Sequence, residues 1–220
     1  MIILAIDLGK FNSMCCFFNT KTQKYSFWRA ATTRRYLRTV LEKFPADQVV
    51  MEACGPSGWI TDLCRELGKQ TVVCSTNEEA WRWKNVKRKT DKDDALKLAR
   101  LSMLGQLKPV HVPTHKVRER RTLVKYRKKL DRQINRIKNS IRSLFANRGI
   151  EIDRGRRAWS VAGRQLMDSY RKSLADCSMD ELWQGQLDLE LTQLDALRKQ
   201  QADVERRLEA IAEEDERIRR

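Results

Sequence analysis

Four carboxylates carry the chemistry that this sequence could perform. Asp7 closes the apolar run MIILAID, and Glu52 closes the run VVME. Asp91 and Asp94 stand three apart in KTDKDDALKLARL (89–101), a spacing that puts both on one face of a helix. Side chains at the same end of neighbouring strands converge in an open sheet. Converging acids cannot all stay ionised in a low-dielectric cleft without cations. Two divalent ions, about 4 Å apart, would neutralise them and hold the attacking and leaving oxygens of a phosphodiester displacement. Hard carboxylate oxygens favour Mg²⁺ or Mn²⁺. Asp7, Glu52, Asp91 and Asp94 are therefore the candidate catalytic and metal-binding residues.

Each acid also has a plainer reading. Asp7 in Asp-Leu-Gly could form a strand-end turn. Thr90 and Asp93 fit a capping box, and Asp91 suits the positive end of a helix dipole. That account leaves Asp94 and the strand-end position of Glu52 unexplained. Asp93 points elsewhere and is expendable. His111 and His115 bracket Pro113, which argues against a metal pair on one helix face. Ser57 follows Gly-Pro at a helix start and lacks the flanks of a nucleophile elbow, so it reads as a cap. Six cysteines include no CxxC pair, and Cys15, Cys16 and Cys74 read as small buried hydrophobes. Trp59 reads as core. Trp81 and Trp83 read equally as base-stacking platforms or core anchors.

Charge is concentrated where those acids lie. The 220 residues carry a formal net charge of +16, of which +15 falls within residues 76–150. A local basic belt beside near-neutral ends points to a polyanionic partner, nucleic acid above all. Candidate phosphate contacts are Lys84, Lys87, Arg88 and Lys89, just before the acids. Further along come Arg120, Arg121, Lys125, Arg127, Lys128, Lys129 and Arg132. Nowhere do 18 apolar residues run together, and the N-terminus has no basic leader. The expectation is a cytoplasmic protein with no membrane partner.

The elements that must position these residues can be read from periodicity. Strands are expected at 1–9, 13–20 and 24–30 as a meander, then a helix at 32–44 capped by Thr32 or Thr33. A strand at 47–54, a helix at 55–68 stopped by Gly68, a strand at 69–75 and a helix at 77–86 follow. The order is that of a ribonuclease H-like fold, an α/β mixed sheet flanked by helices; that step is by analogy. A long basic helix is expected over 115–148, with Leu123, Leu130, Ile134, Ile137, Ile141 and Leu144 as its stripe. A second, over 186–219, has Leu187, Leu191, Leu194, Leu197, Val204, Leu208 and Ile211 and an acidic outer face. Both have coiled-coil patterning and could pair with each other or with a second chain. A short helical connector over 149–180 separates them. The expected division is residues 1–110 as the nuclease domain and 111–220 as a helical, coiled-coil region for nucleic-acid binding and oligomerisation.

Three motifs, AIDLGK (5–10), MEACGPSGWI (51–60) and KTDKDDALKLARL, together resemble the DEDD, RuvC-like transposases of bacterial insertion sequences. The match in order and spacing runs to about residue 110, and the following helices resemble the family's coiled coil. The resemblance implies metal-dependent cleavage and rejoining of DNA, guided by a bound structured RNA. It implies Asp7, Glu52, Asp91 and Asp94 as the family's tetrad, with two Mg²⁺ or Mn²⁺ ions, and a homo-dimer or homo-tetramer. The family's second domain, with a nucleophilic serine, has no counterpart here, so the sequence reads as a fragment incomplete for full strand exchange. Competing expectations are a stand-alone Holliday-junction-type nuclease and a non-catalytic nucleic-acid-binding oligomerisation protein.

Overall fold

The computed structural model describes residues 1–75 and 90–214. The helix expected at 77–86 and the residues Trp81, Trp83, Lys84, Lys87, Arg88 and Lys89 lie outside the described residues. Contacts group the chain into two compact units, Met1–Val117 and Arg118–Arg220.

The first unit is built on a five-stranded sheet. Strand β1 (Ile2–Asp7) pairs antiparallel with β2 (Asn12–Asn19), and β2 with β3 (Tyr25–Ala31). Helix α1 (Arg34–Lys43) then carries the chain to β4 (Gln48–Glu52), and α2 (Ser57–Glu66) carries it to β5 (Gln70–Cys74). Both crossovers return strands parallel to β1, so the order across the sheet is β3-β2-β1-β4-β5. Parallel neighbours need a crossover element, and the two short helices supply it.

Alternation along the strands creates two apolar faces. Leu4, Ile6, Cys15, Val49, Met51 and Val73 face Leu37, Val40 and Leu41 of α1 and Ile60, Leu63 and Cys64 of α2. Ile3, Ala5, Cys16, Phe18 and Val50 face Ala95, Leu98, Ala99 and Leu101 of α3 (Asp91–Met103). Helices thus cover both faces, as burial on both sides of the β1 and β4 strands requires. Beyond α3 the chain runs back beside β5, where the Val110 N–H donates to the Val73 carbonyl at 2.7 Å. Three antiparallel strands, then parallel ones, with helices on both faces, make a ribonuclease H-like sheet. Caps agree with the sequence: the Thr33 hydroxyl accepts from the Tyr36 N–H, and Gly68 ends α2 at φ +64°.

The second unit is helical. Helix α4 spans His115–Ala146, α5 Val161–Ser169 and α6 Leu182–Glu213. Leu130, Ile134, Ile137, Ile141 and Phe145 of α4 pack with Leu187, Leu191, Leu194, Leu197 and Val204 of α6. The two heptad stretches therefore pair within one chain. Cross-links between Arg127 and Glu205, and between Ser140 and Glu190, fix the pair as antiparallel. Phe145, Tyr170 and Trp183 close one end, with ring centroids 5.6–5.9 Å apart. In the connector, a Cβ on Gly163 would sit 2.5 Å from the Ala158 carbonyl oxygen, so only glycine lets α5 approach the preceding turn.

Candidate metal centre and nucleic-acid face

Strand register places the first two acids. The paired run of β1 and β4 ends at Ile6 opposite Met51, so Asp7 and Glu52 are the next residues on adjacent parallel strands. Parity gives their face: Asp7 follows Ile3 and Ala5, and Glu52 follows Val50, all on the side covered by α3. Both are half-buried. Glu52 stands opposite Cys74 of β5.

Helix α3 brings the other two to the same end. Its last turn is tied to the start of β4, where the Ser102 hydroxyl donates to Gln48 Oε1 at 2.8 Å. With its C-terminus at the beginning of β4, α3 runs against the strand and its N-terminus lies toward the strand's carboxyl end. Asp91 and Asp94 belong to the arc that includes Ala95, Leu98 and Ser102, the arc turned to the sheet. Ala95 and Ala99 are fully buried, and their small side chains let the helix sit close on β1 and β2.

The start of α3 is held by a reciprocal cap. The Thr90 hydroxyl accepts from the Asp93 N–H at 3.3 Å, and the Asp93 carboxylate accepts from the Thr90 N–H at 3.2 Å. Asp93 is thus the capping acid, as the spacing implied, and Asp91 and Asp94 are left to the sheet side. Asp94 is half-buried and Asp91 is exposed.

Neighbouring thiols register the negative charge at this end of the sheet. Burial pushes the Cys74 thiol up to about 11, and Glu52 pushes the same way. Partial burial raises the Cys54 thiol, with Glu52 and Asp7 adding to the rise. Cys54 was not singled out in the sequence; its position two residues past Glu52 was the available signal. The Ser57 hydroxyl donates to the Cys54 carbonyl at 2.8 Å and accepts from its N–H at 3.3 Å. It pins the turn after Glu52.

Among the described residues, no three His, Cys, Asp or Glu side chains come close enough to hold one metal ion. The acids stand as a strand pair and a helix pair and do not form a closed cage. Their chemistry still fits a hard divalent ion, because every donor is a carboxylate oxygen at one end of one sheet face. His111 lies in the extended segment before α4 and His115 is the first residue of that helix, so the two share no helix face.

The basic candidates on α4 divide. Arg121, Lys125, Lys128, Lys129 and Arg132 are exposed. Arg120 is half-buried. Arg127 is held between Glu205 of α6 at 2.8 Å and Asp131 at 3.1 Å. It links the two helices while its side chain keeps 41% of its exposure. No helix among the described residues is long and apolar enough to cross a membrane.

No curated protein matches the chain. A solved structure of Thermus thermophilus RuvC is similar over 50% of this chain and 100% of that one, at 16% identity and a TM-score of 0.35. A family model described as a transposase, that of the IS110-type DEDD group, matches residues 4–147. That match spans both sheet-borne acids, α3 and all of α4, well over half of the chain, and the chain therefore belongs to the IS110-type DEDD transposase family.

Proposed function

We propose that the chain catalyses metal-dependent cleavage and transfer of DNA strands, with Asp7, Glu52, Asp91 and Asp94 as the metal-binding carboxylates. The observation that supports this reading is the seating of α3 on the β1 and β4 face with its last turn tied to the start of β4, which directs its acidic N-terminus toward the strand ends. Two Mg²⁺ or Mn²⁺ ions, when bound, would stabilise the charge that develops on the attacking and leaving oxygens. The chain's own part is to hold the carboxylates at fixed places. Asp7 and Glu52 are fixed by sheet register, and Asp91 and Asp94 by the Thr90–Asp93 cap and the Ser102–Gln48 bond.

In this reading residues 1–110 are the nuclease domain, and residues 111–220 bind nucleic acid and oligomerise. Arg120, Arg121, Lys125, Arg127, Lys128, Lys129 and Arg132 would contact the nucleic-acid backbone, as would Lys84, Lys87, Arg88 and Lys89. A structured guide RNA and assembly as a homo-dimer or homo-tetramer complete the proposal.

Calorimetric titration with Mn²⁺ tests the centre. Asp7→Ala and Glu52→Ala should fold with unchanged circular dichroism and lose Mn²⁺ binding. Unchanged titration in both variants refutes the assignment.

A further inference from the structure

In the cross-pairs that join α4 to α6 the rule is that each acid meets a cation or a neutral donor. Arg127 meets Glu205, Asp131 meets Gln201, and the Ser140 hydroxyl meets Glu190 at 2.7 Å. Midway the rule inverts. Lys138 and Arg142, one turn apart on α4, lie close enough to Arg198 of α6 for the positive charges to oppose one another. All three are half-buried. Among the described residues none has a carboxylate within 4.0 Å. The nearest acid along α6, Asp195, is already held by Arg164 at 2.6 Å.

Trp159 of the connector forms the floor beneath the two α4 cations. The Lys138 ammonium lies 5.3 Å from its ring centroid, and the Arg142 guanidinium 5.5 Å. The Trp159 Nε1–H is buried and has no acceptor. Arg142 is oriented by donating to the Gly155 carbonyl at 2.9 Å. Burial, then Arg198 and Arg142, lower the Lys138 ammonium below its usual value. Like charges gathered over an aromatic face, together with an unsatisfied donor, destabilise the free protein. An oxyanion relieves the repulsion, because ammonium and guanidinium groups both donate to phosphate oxygens.

We propose that Lys138 and Arg142, floored by Trp159, form with Arg198 of α6 a phosphate site that takes a backbone phosphodiester of a nucleic-acid strand. The assignment rests on nucleic acid being the partner, as proposed above, and is independent of the four carboxylates. It differs from the exposed lysines of α4 in being half-enclosed, so it would fix the position of the strand and not merely attract it.

The test measures anisotropy of a labelled RNA hairpin and of a labelled DNA duplex across a series of KCl concentrations, using the full chain. Lys138→Gln and Arg198→Gln should each weaken binding about 3–10-fold near 0.1 M salt and lower the slope of log K against log salt by about 1. Arg206→Gln, which removes an exposed α6 charge paired with Asp203, should stay within about twofold of wild type on the same scale. Without nucleic acid, Arg198→Gln should melt at or above the wild-type temperature, because repulsion has been removed. An effect confined to one probe assigns the site to RNA or to DNA. Equal slopes for Arg198→Gln and Arg206→Gln on both probes overturn the proposal, as does a lowered melting temperature for Arg198→Gln. Asp7→Ala should keep wild-type slopes, so failure of the metal reading would leave this site standing.

Discussion

The Cys54 thiol offers a direct probe of whether Asp7 and Glu52 share one end of the sheet. Thiols alkylate as thiolates, and each unit removed from a pKa above the assay pH raises the thiolate fraction about tenfold. Four thiols supply the background. Burial holds Cys15 and Cys64 up to about 12, and Cys16 and Cys74 up to about 11, from an ordinary 9.0. At pH 8 their thiolate populations are thus about a hundred- to a thousandfold below that of an ordinary thiol, and all four are fully buried. In the native protein only Cys54 and Cys177 should label with iodoacetamide, read out peptide by peptide in a mass spectrometer. Cys54 is exposed, but the carboxylates of Glu52 and Asp7 oppose its ionisation. Asp7→Asn and Glu52→Gln each remove one of those charges, so each should accelerate Cys54 labelling, and the double variant most. The rate gain should be smaller than the gain in thiolate, because nucleophilicity falls with pKa. Cys177, in the helical unit, serves as the reference whose rate stays fixed. Cys54 labelling that is unchanged in the double variant, or native labelling of Cys15 at the Cys54 rate, refutes the placement of the acids.

Two further outcomes follow from the same structure. Thr90→Ala removes the α3 cap and should cost about 1 kcal/mol in urea unfolding while weakening Mn²⁺ binding; full stability would show that the cap does not hold the helix start. Above pH 9 the unfolded chain ionises Cys15 and Cys64 while the folded protein keeps them neutral until about 12. The unfolded state then binds fewer protons, so stability falls as pH rises, by about 1.4 kcal/mol per pH unit for each thiol. The loss should be absent below pH 8 and seen as a falling urea midpoint between pH 9 and 11. A Cys15→Ala/Cys64→Ala variant with the same slope would contradict this.

Much of the centre was legible in the residues themselves. Alternation in IILAID and QVVME sets the parity of Asp7 and Glu52, because side chains in a strand must alternate whatever the partner. The T-x-x-D spacing names Asp93 as the cap and leaves Asp91 and Asp94 for the opposite side, a consequence of helix geometry within four residues. The leucine and isoleucine stripes of α4 and α6 likewise follow from local period.

What the tertiary structure decided is which surfaces meet. No local pattern says that β1 lies between β2 and β4, or that α3 covers the face of Ala5 and not that of Ile6. The bond between Ser102 and Gln48, 54 residues apart, ties the last turn of α3 to the start of β4 and so sets the direction in which the helix crosses the sheet. The pairing of α4 with α6 in one chain sends Arg127 to Glu205, 78 residues away. The same pairing brings Arg198 beside Lys138 and Arg142 over Trp159. Sequence period determines which side of each element is apolar or charged, since that depends only on near neighbours. Whether a charge is neutralised, opposed or offered to a ligand depends on what packing sets against it, and that exists only once distant segments touch.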